Sequence, residues 1–219
     1  GWALARALGL LVVGYFNWIG ASLHLTQNRA WVIALFLLLL AGASAFLAWR
    51  NREALLAHLR ANWRLLVTIE ALFAAAYAAF VVIRVLNPDI WQPWTGGEKF
   101  MEFAFLNATL KSAYFPPYDP YFAGGTLNYY YYGQYLVSLL IKLTGITPAV
   151  AFNLAIPSLF AMTVVGAFSV GYSLAGRRKA DGSAPAWTSG LAGGLLAAAF
   201  VTLMGNLATV MQIVRALGN

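Results

Sequence analysis

The chain has 219 residues, 61% of them hydrophobic and only 10% charged, with a formal net charge of +7. A soluble domain carries about 45–50% apolar and about 25% charged residues, and one small globule cannot bury the surplus seen here. The composition therefore excludes a soluble single domain, and it excludes intrinsic disorder, which needs low hydrophobicity and high charge. A mean hydropathy of +0.70 fits a polytopic helical membrane protein.

The sequence holds no cysteine, so disulfides, thiolate metal sites and iron–sulfur ligation are excluded. Two histidines, His24 and His58, are too few for a haem or zinc reading. The basic residues flank apolar runs instead of forming one stripe. They orient the chain in a membrane and do not suggest a nucleic-acid partner. The chain begins at Gly1 and ends at Asn219, just past a long apolar run, which predicts a piece of a longer protein.

As a helix, about 20 uncharged residues cross the roughly 30 Å of hydrocarbon. The first such run is 7–28, after Arg6, and the second is 30–49, between Arg29 and Arg50. Residues 50–64 follow, with Arg50, Arg52, Arg60 and Arg64 around Leu55, Leu56 and Leu59. They read as a basic amphipathic surface helix or as a plain connection with orienting charges, and both place the segment in the cytoplasm. The third run, 65–83, contains Glu70, an intramembrane acid near enough to the interface to pair with an arginine.

Residues 84–127 form a long loop holding Asp89, Glu98, Glu102 and Asp119, with Pro, Gly and aromatic residues between them. Loops of this length are functional or disordered. With the 50–64 segment inside, this loop faces outside. The fourth apolar segment, 128–141, is short for a span. The fifth is 147–176, containing Pro157, and the sixth is 184–214.

The expected architecture is an all-α, polytopic transmembrane bundle of about five to six spans. It divides as 1–83, with three spans and the basic segment, 84–127, the outer loop with a juxtamembrane helix, and 128–219, with the tyrosine-rich short span and two more helices. With six spans, Arg6, Arg50, Arg52, Arg60, Arg64, Lys142 and Arg215 face the other seven basic residues across the membrane. If the fourth segment only dips into the membrane, Arg177, Arg178 and Lys179 move inside and the count becomes eight against six. Gly190, Gly194 and Ala198 form a small-residue packing face. Thr147-Pro148 resembles an N-cap followed by Pro at the first helical position. Asn17, Asn153 and Asn206 read as interhelical hydrogen-bonding residues.

The chemistry-bearing stretch begins at Gly96-Gly97, which leads into a helix. Glu98 and Glu102 share a face there, and Lys99 offsets their repulsion. They read as a normally charged helix start, or as a carboxylate presented at the outer surface as general base or cation ligand. Asp119, between Tyr118 and Pro120, is a turn residue or a polar contact to substrate. On a helix, Tyr129, Tyr130, Tyr131 and Tyr132 point in four directions. Tyr129 would share a face with Tyr132, and Tyr131 with Tyr135. They read as a headgroup-level aromatic belt, or as one face that binds a sugar or a polyprenyl-phosphate head.

The run GGEKFMEFAFLNATLKSAYFPPYDPYFAGGTLNYYYYGQYL, with KLTGITPAVAFNLAIPSLFAMT after it, closely resembles the Chlor_Arch_YYY family of large, uncharacterised multi-spanning proteins. Members of that family are longer, with further spans on the C-terminal side. Their layout is similar to the GT-C class of membrane glycosyltransferases. That resemblance implies a sugar donor on a lipid phosphate, a hydroxyl acceptor, and a catalytic acid at Glu98, or else at Glu102 or Asp89. It also implies a turn at Leu143-Thr144-Gly145 and neutralisation of the donor phosphate by Arg84, Lys99 or Lys111. The carboxylate would take the acceptor's proton or hold a divalent cation, Mg or Mn. Glu98 is followed by Lys99, where the class commonly carries a second acid.

Two functions follow as expectations for this protein of the cell's inner (plasma) membrane. One is GT-C-like sugar transfer at the outer face, with bilayer and lipid-linked donor as partners. The other is a non-catalytic accessory subunit of a larger respiratory or photosynthetic membrane complex, with other membrane subunits as partners. A transporter is the weaker third.

Overall fold

The computed structural model describes residues 1–86, 99–176, 187–204, 211 and 214–215. Among these the fold is all-α, with a 3-10 turn at Trp2–Leu4 followed by seven helices. They are α1 (Ala5–Ser22), α2 (Ala30–Arg50), α3 (Arg52–Leu86), α4 (Lys99–Lys111), α5 (Tyr132–Thr144), α6 (Pro148–Ala175) and α7 (Trp187–Thr202). The first turn with α1, and α2, α3 and α6, are long and apolar enough to cross a membrane. Their surfaces suit lipid: α2 leaves Leu35, Leu37, Leu38 and Leu39 exposed, and such a face has no place in water.

Four helices among the described residues are long and apolar enough to span, and α7 is a shorter apolar helix of 16 residues. The fourth predicted segment is not one of the four. Its helix starts only at Tyr132 and has 13 residues. At 1.5 Å per residue it reaches about 20 Å, well short of the hydrocarbon thickness. It stops at Gly145, whose φ of 72° lies in the left-handed region and whose N–H donates to the Ile141 carbonyl. The turn predicted at Leu143-Thr144-Gly145 is therefore in place. α6 starts at Pro148, as the Thr147-Pro148 pair predicts.

The basic segment is helical. Residues 52–61 form the first part of α3, nearly all exposed, and the helix breaks at Asn62 (φ −114°, ψ 15°) before the apolar span. The Asn62 amide donates to the His58 carbonyl at 2.9 Å.

The chain forms two compact units. One contains residues 1–5, 64–81 and 157–219. Its core is Ala3, Ile69, Val164, Val165, Phe168 and Ala198. Here α6 and α7 meet through small residues: Gly190 lies under the Tyr172 ring and Gly194 under the Phe168 ring. The predicted small-residue face is thus occupied within the chain. In the same unit, Glu70 accepts a 2.7 Å hydrogen bond from the Trp2 indole N–H.

The other unit contains residues 6–63 and 82–156. One core cluster joins Val13, Ala21, Ile33, Phe115, Tyr135 and Leu139. A second joins Leu106 of α4, Ile141 of α5 and Phe152 of α6. At its edge the Arg84 guanidinium donates to the Asn153 side-chain carbonyl. The end of α3 and the start of α6 are therefore neighbours on one membrane face. An odd number of crossings between them is excluded, which agrees with a non-crossing α5.

Candidate functional site

The predicted residues that the structure describes lie in the second unit. Glu102 is in the first turn of α4 and its side chain is exposed. Lys99 opens the same helix and Lys111 closes it. Glu98 and Asp89 lie outside the described residues, as does Asn206. Among the described residues, no three His, Asp or Glu side chains gather to hold a metal ion.

Asp119 behaves as a turn residue. Its carboxylate accepts the Tyr121 N–H at 2.8 Å, its own N–H donates to the Gly125 carbonyl, and Tyr118 bridges Thr126. This local bonding is the usual use of Asp in turns.

The tyrosine run is a correction to the all-helical expectation. Tyr129, Tyr130 and Tyr131 precede the helix, so Tyr129 and Tyr132 do not share a face. Tyr129 packs beside Phe105 and Tyr130, and both Tyr129 and Tyr130 are exposed, Tyr130 by 81%. Tyr131 and Tyr132 turn inward. The Tyr131 hydroxyl accepts the Trp18 indole N–H at 3.0 Å, and the Tyr132 ring meets Trp18 edge-on. Tyr131 and Tyr135 do share a partner, both packing on the buried Phe115. Two tyrosines therefore build the interior and two face outward. Burial, and then Tyr15 nearby, raises the Tyr132 pKa.

Beneath this surface lies a buried polar network that sequence reasoning found only at Asn17. The Asn17 amide donates to the Asn28 side-chain oxygen at 3.2 Å and to the Tyr135 hydroxyl at 2.9 Å. Tyr135 donates in turn to the Gly14 carbonyl at 2.7 Å. Asn28 donates its side-chain N–H groups to the Thr109 and Ser112 carbonyls, and its backbone N–H to Ala113. The α1–α2 loop is thereby fastened to the C-terminal end of α4. Alongside, His24 stacks on Tyr114 at 4.6 Å, and Gln27 donates to the Tyr114 hydroxyl. Burial, the largest cause, pushes the Tyr135 phenol well above the usual tyrosine range.

Arg84 is the predicted cation with the most telling surroundings. It is half-buried, and its hydrogen-bond partner is the neutral amide of Asn153. Its Nε is buried and has no hydrogen-bond partner. A guanidinium presents five donors suited to planar anions, and an unmet buried donor is costly.

Two concavities among the described residues lie elsewhere. One of about 640 Å³ opens at the α2–α3 turn, lined by Trp49 to Ala54, at the other end of α2 from Arg29. An apolar groove between α1 and α2 is lined by Val12, Phe16, Phe36 and Leu40.

No curated protein and no solved structure matches the chain. A family model described as "Uncharacterized membrane protein (DUF2298)" matches residues 12–219. The chain belongs to this family of multi-pass integral membrane proteins.

Proposed function

We propose that the chain belongs to a GT-C-like glycosyltransferase of the plasma membrane, using a lipid-phosphate-linked sugar at the extracytoplasmic face. The resemblance of its tyrosine-run region to the Chlor_Arch_YYY family motivates the reading. Arg84 is the observation that carries it: a half-buried guanidinium at the membrane edge, held by a neutral amide and with an unmet Nε. A donor phosphate is the kind of group that satisfies such a site.

In the reaction, a carboxylate takes the acceptor hydroxyl's proton while that oxygen bonds to the sugar's anomeric carbon. The bond from that carbon to the donor phosphate breaks, and its electron pair leaves on the phosphate oxygen. Arg84, with Lys99 or Lys111, stabilises the charge formed there. Glu98 is the base, with Glu102 and Asp89 as the other candidates. The outward Tyr129 and Tyr130 contact the sugar, Tyr131 and Tyr132 support them from behind, and Asp119 holds the turn before them.

The test is sugar transfer from a polyprenyl-phosphate donor by the full-length protein in membranes. Glu98→Gln is expected to lower the rate by about 10²–10⁴, the usual contribution of a general base. Equal rates for wild type, Glu98→Gln, Glu102→Gln and Asp89→Asn would contradict the proposal. The accessory-subunit reading loses support from the small-residue face, because α6 already fills it.

A further inference from the structure

The chain leaves the apolar run of α2 at Arg50 and enters the apolar run of α3 at Leu65. Both ends of the stretch between them are therefore fixed at one membrane face. α3 has 35 residues, which at 1.5 Å each reach about 50 Å, so part of it lies outside the roughly 30 Å of hydrocarbon. That part is 52–61, set off from the span by the break at Asn62.

This segment carries two kinds of surface. Leu55 and Leu56 are exposed and Leu59 is half-buried. Leu59 stands four residues after one and three after the other, so the three leucines share a helix face. Arg50, Arg52 and Arg60 are exposed, against one acid, Glu53. Among the described residues, none of these three guanidinium groups bonds or pairs with another protein group. The concavity of about 640 Å³ at the α2–α3 turn is lined by Arg50 and Arg52, with Trp49 and Asn51. Its volume is that of a small-molecule site. Orienting charge accounts for the arginines but not for three leucines on one face. A leucine face bordered by cations is the composition of a helix that lies in the headgroup layer with its apolar side toward the acyl chains. Three guanidinium groups against one carboxylate favour anionic heads over neutral ones.

We infer that residues 50–60 form a docking surface for anionic phospholipid in the leaflet where α2 ends. A phosphate head sits in the concavity between Arg50 and Arg52, and Leu55, Leu56 and Leu59 meet the acyl boundary. The surface uses none of the residues assigned to sugar transfer and stands whether or not the chain transfers sugar.

The experiment uses the full chain in nanodiscs of phosphatidylcholine, with or without phosphatidylglycerol. The readout is hydrogen exchange of the 52–61 backbone amides, measured by mass spectrometry. Phosphatidylglycerol is expected to slow exchange there, and about 1 M salt to reverse the slowing by screening. Each arginine near an anionic surface contributes about fivefold. The combined Arg50→Gln, Arg52→Gln and Arg60→Gln variant should therefore lose the slowing, and Arg29→Gln, at the other end of α2, should keep it. All three arginines are exposed, and unchanged exchange within α2 shows that their variant is folded. Equal exchange in the two lipid mixtures, slowing that survives in the combined variant, or equal loss in Arg29→Gln would overturn the proposal. Slowing that follows protein density in phosphatidylcholine alone would assign the face to a second copy of the chain and overturn it as well.

Discussion

Asn17 is fully buried within α1, and its hydrogen bonds determine how two other segments dock. Tyr135→Phe removes both the bond from Asn17 and the one to Gly14, leaving buried polar atoms unmet. A loss of about 1–2 kcal/mol is expected, measured as a lowered unfolding midpoint in mild detergent. The same hydroxyl makes stability depend on pH. Its folded pKa lies above the ordinary 10.0, so its contribution is complete below that value. It is lost as pH rises toward the raised value. Tyr135→Phe should remove this alkaline fall, and an unchanged fall would assign it to other groups. The sequence exposes Asn17 because an amide inside an apolar run needs a partner. It does not expose the partner, since Tyr135 lies 118 residues away and no periodicity links the two positions.

Helix ends and helix contacts were the more legible level. Leu143-Thr144-Gly145 reads as a stop, and Gly145 adopts a positive φ. Gly145→Ala should cost about 1–2 kcal/mol, because a side chain strains this conformation, and thermal unfolding measures it. The spacing of Gly190, Gly194 and Ala198 likewise reads as a packing face. At Gly194, an added Cβ would lie 2.7 Å from ring carbons of Phe168. Gly194→Val is expected to destabilise by about 1–3 kcal/mol through overpacking, seen as loss of protease resistance in the membrane. Four aromatics in a row suit a helix and a turn equally, so the start of α5 is not legible in the tyrosine run. The preceding loop, closed by the Tyr118–Thr126 bridge and the Leu127 N–H bond to Pro117, delays the helix to Tyr132.

For the whole chain, composition is enough to establish a multi-pass membrane protein, but not its path. Basic residues divide seven against seven if the fourth segment spans, so charge alone cannot choose a topology. The contact between Arg84 and Asn153, which no sequence pattern announces, resolves it by placing the end of α3 beside the start of α6. A non-crossing α5 keeps α4, the tyrosine run and α5 on one face. The chain has no cysteine, so single cysteines can be introduced without background. The most direct measurement places them at Tyr130, before α5, and at Ile146, after it, and labels intact cells with a membrane-impermeant maleimide. Labelling of both from the same side is expected, with His58→Cys labelled only after the cells are opened. Labelling of Tyr130→Cys and Ile146→Cys from opposite sides would make α5 a span and contradict the account.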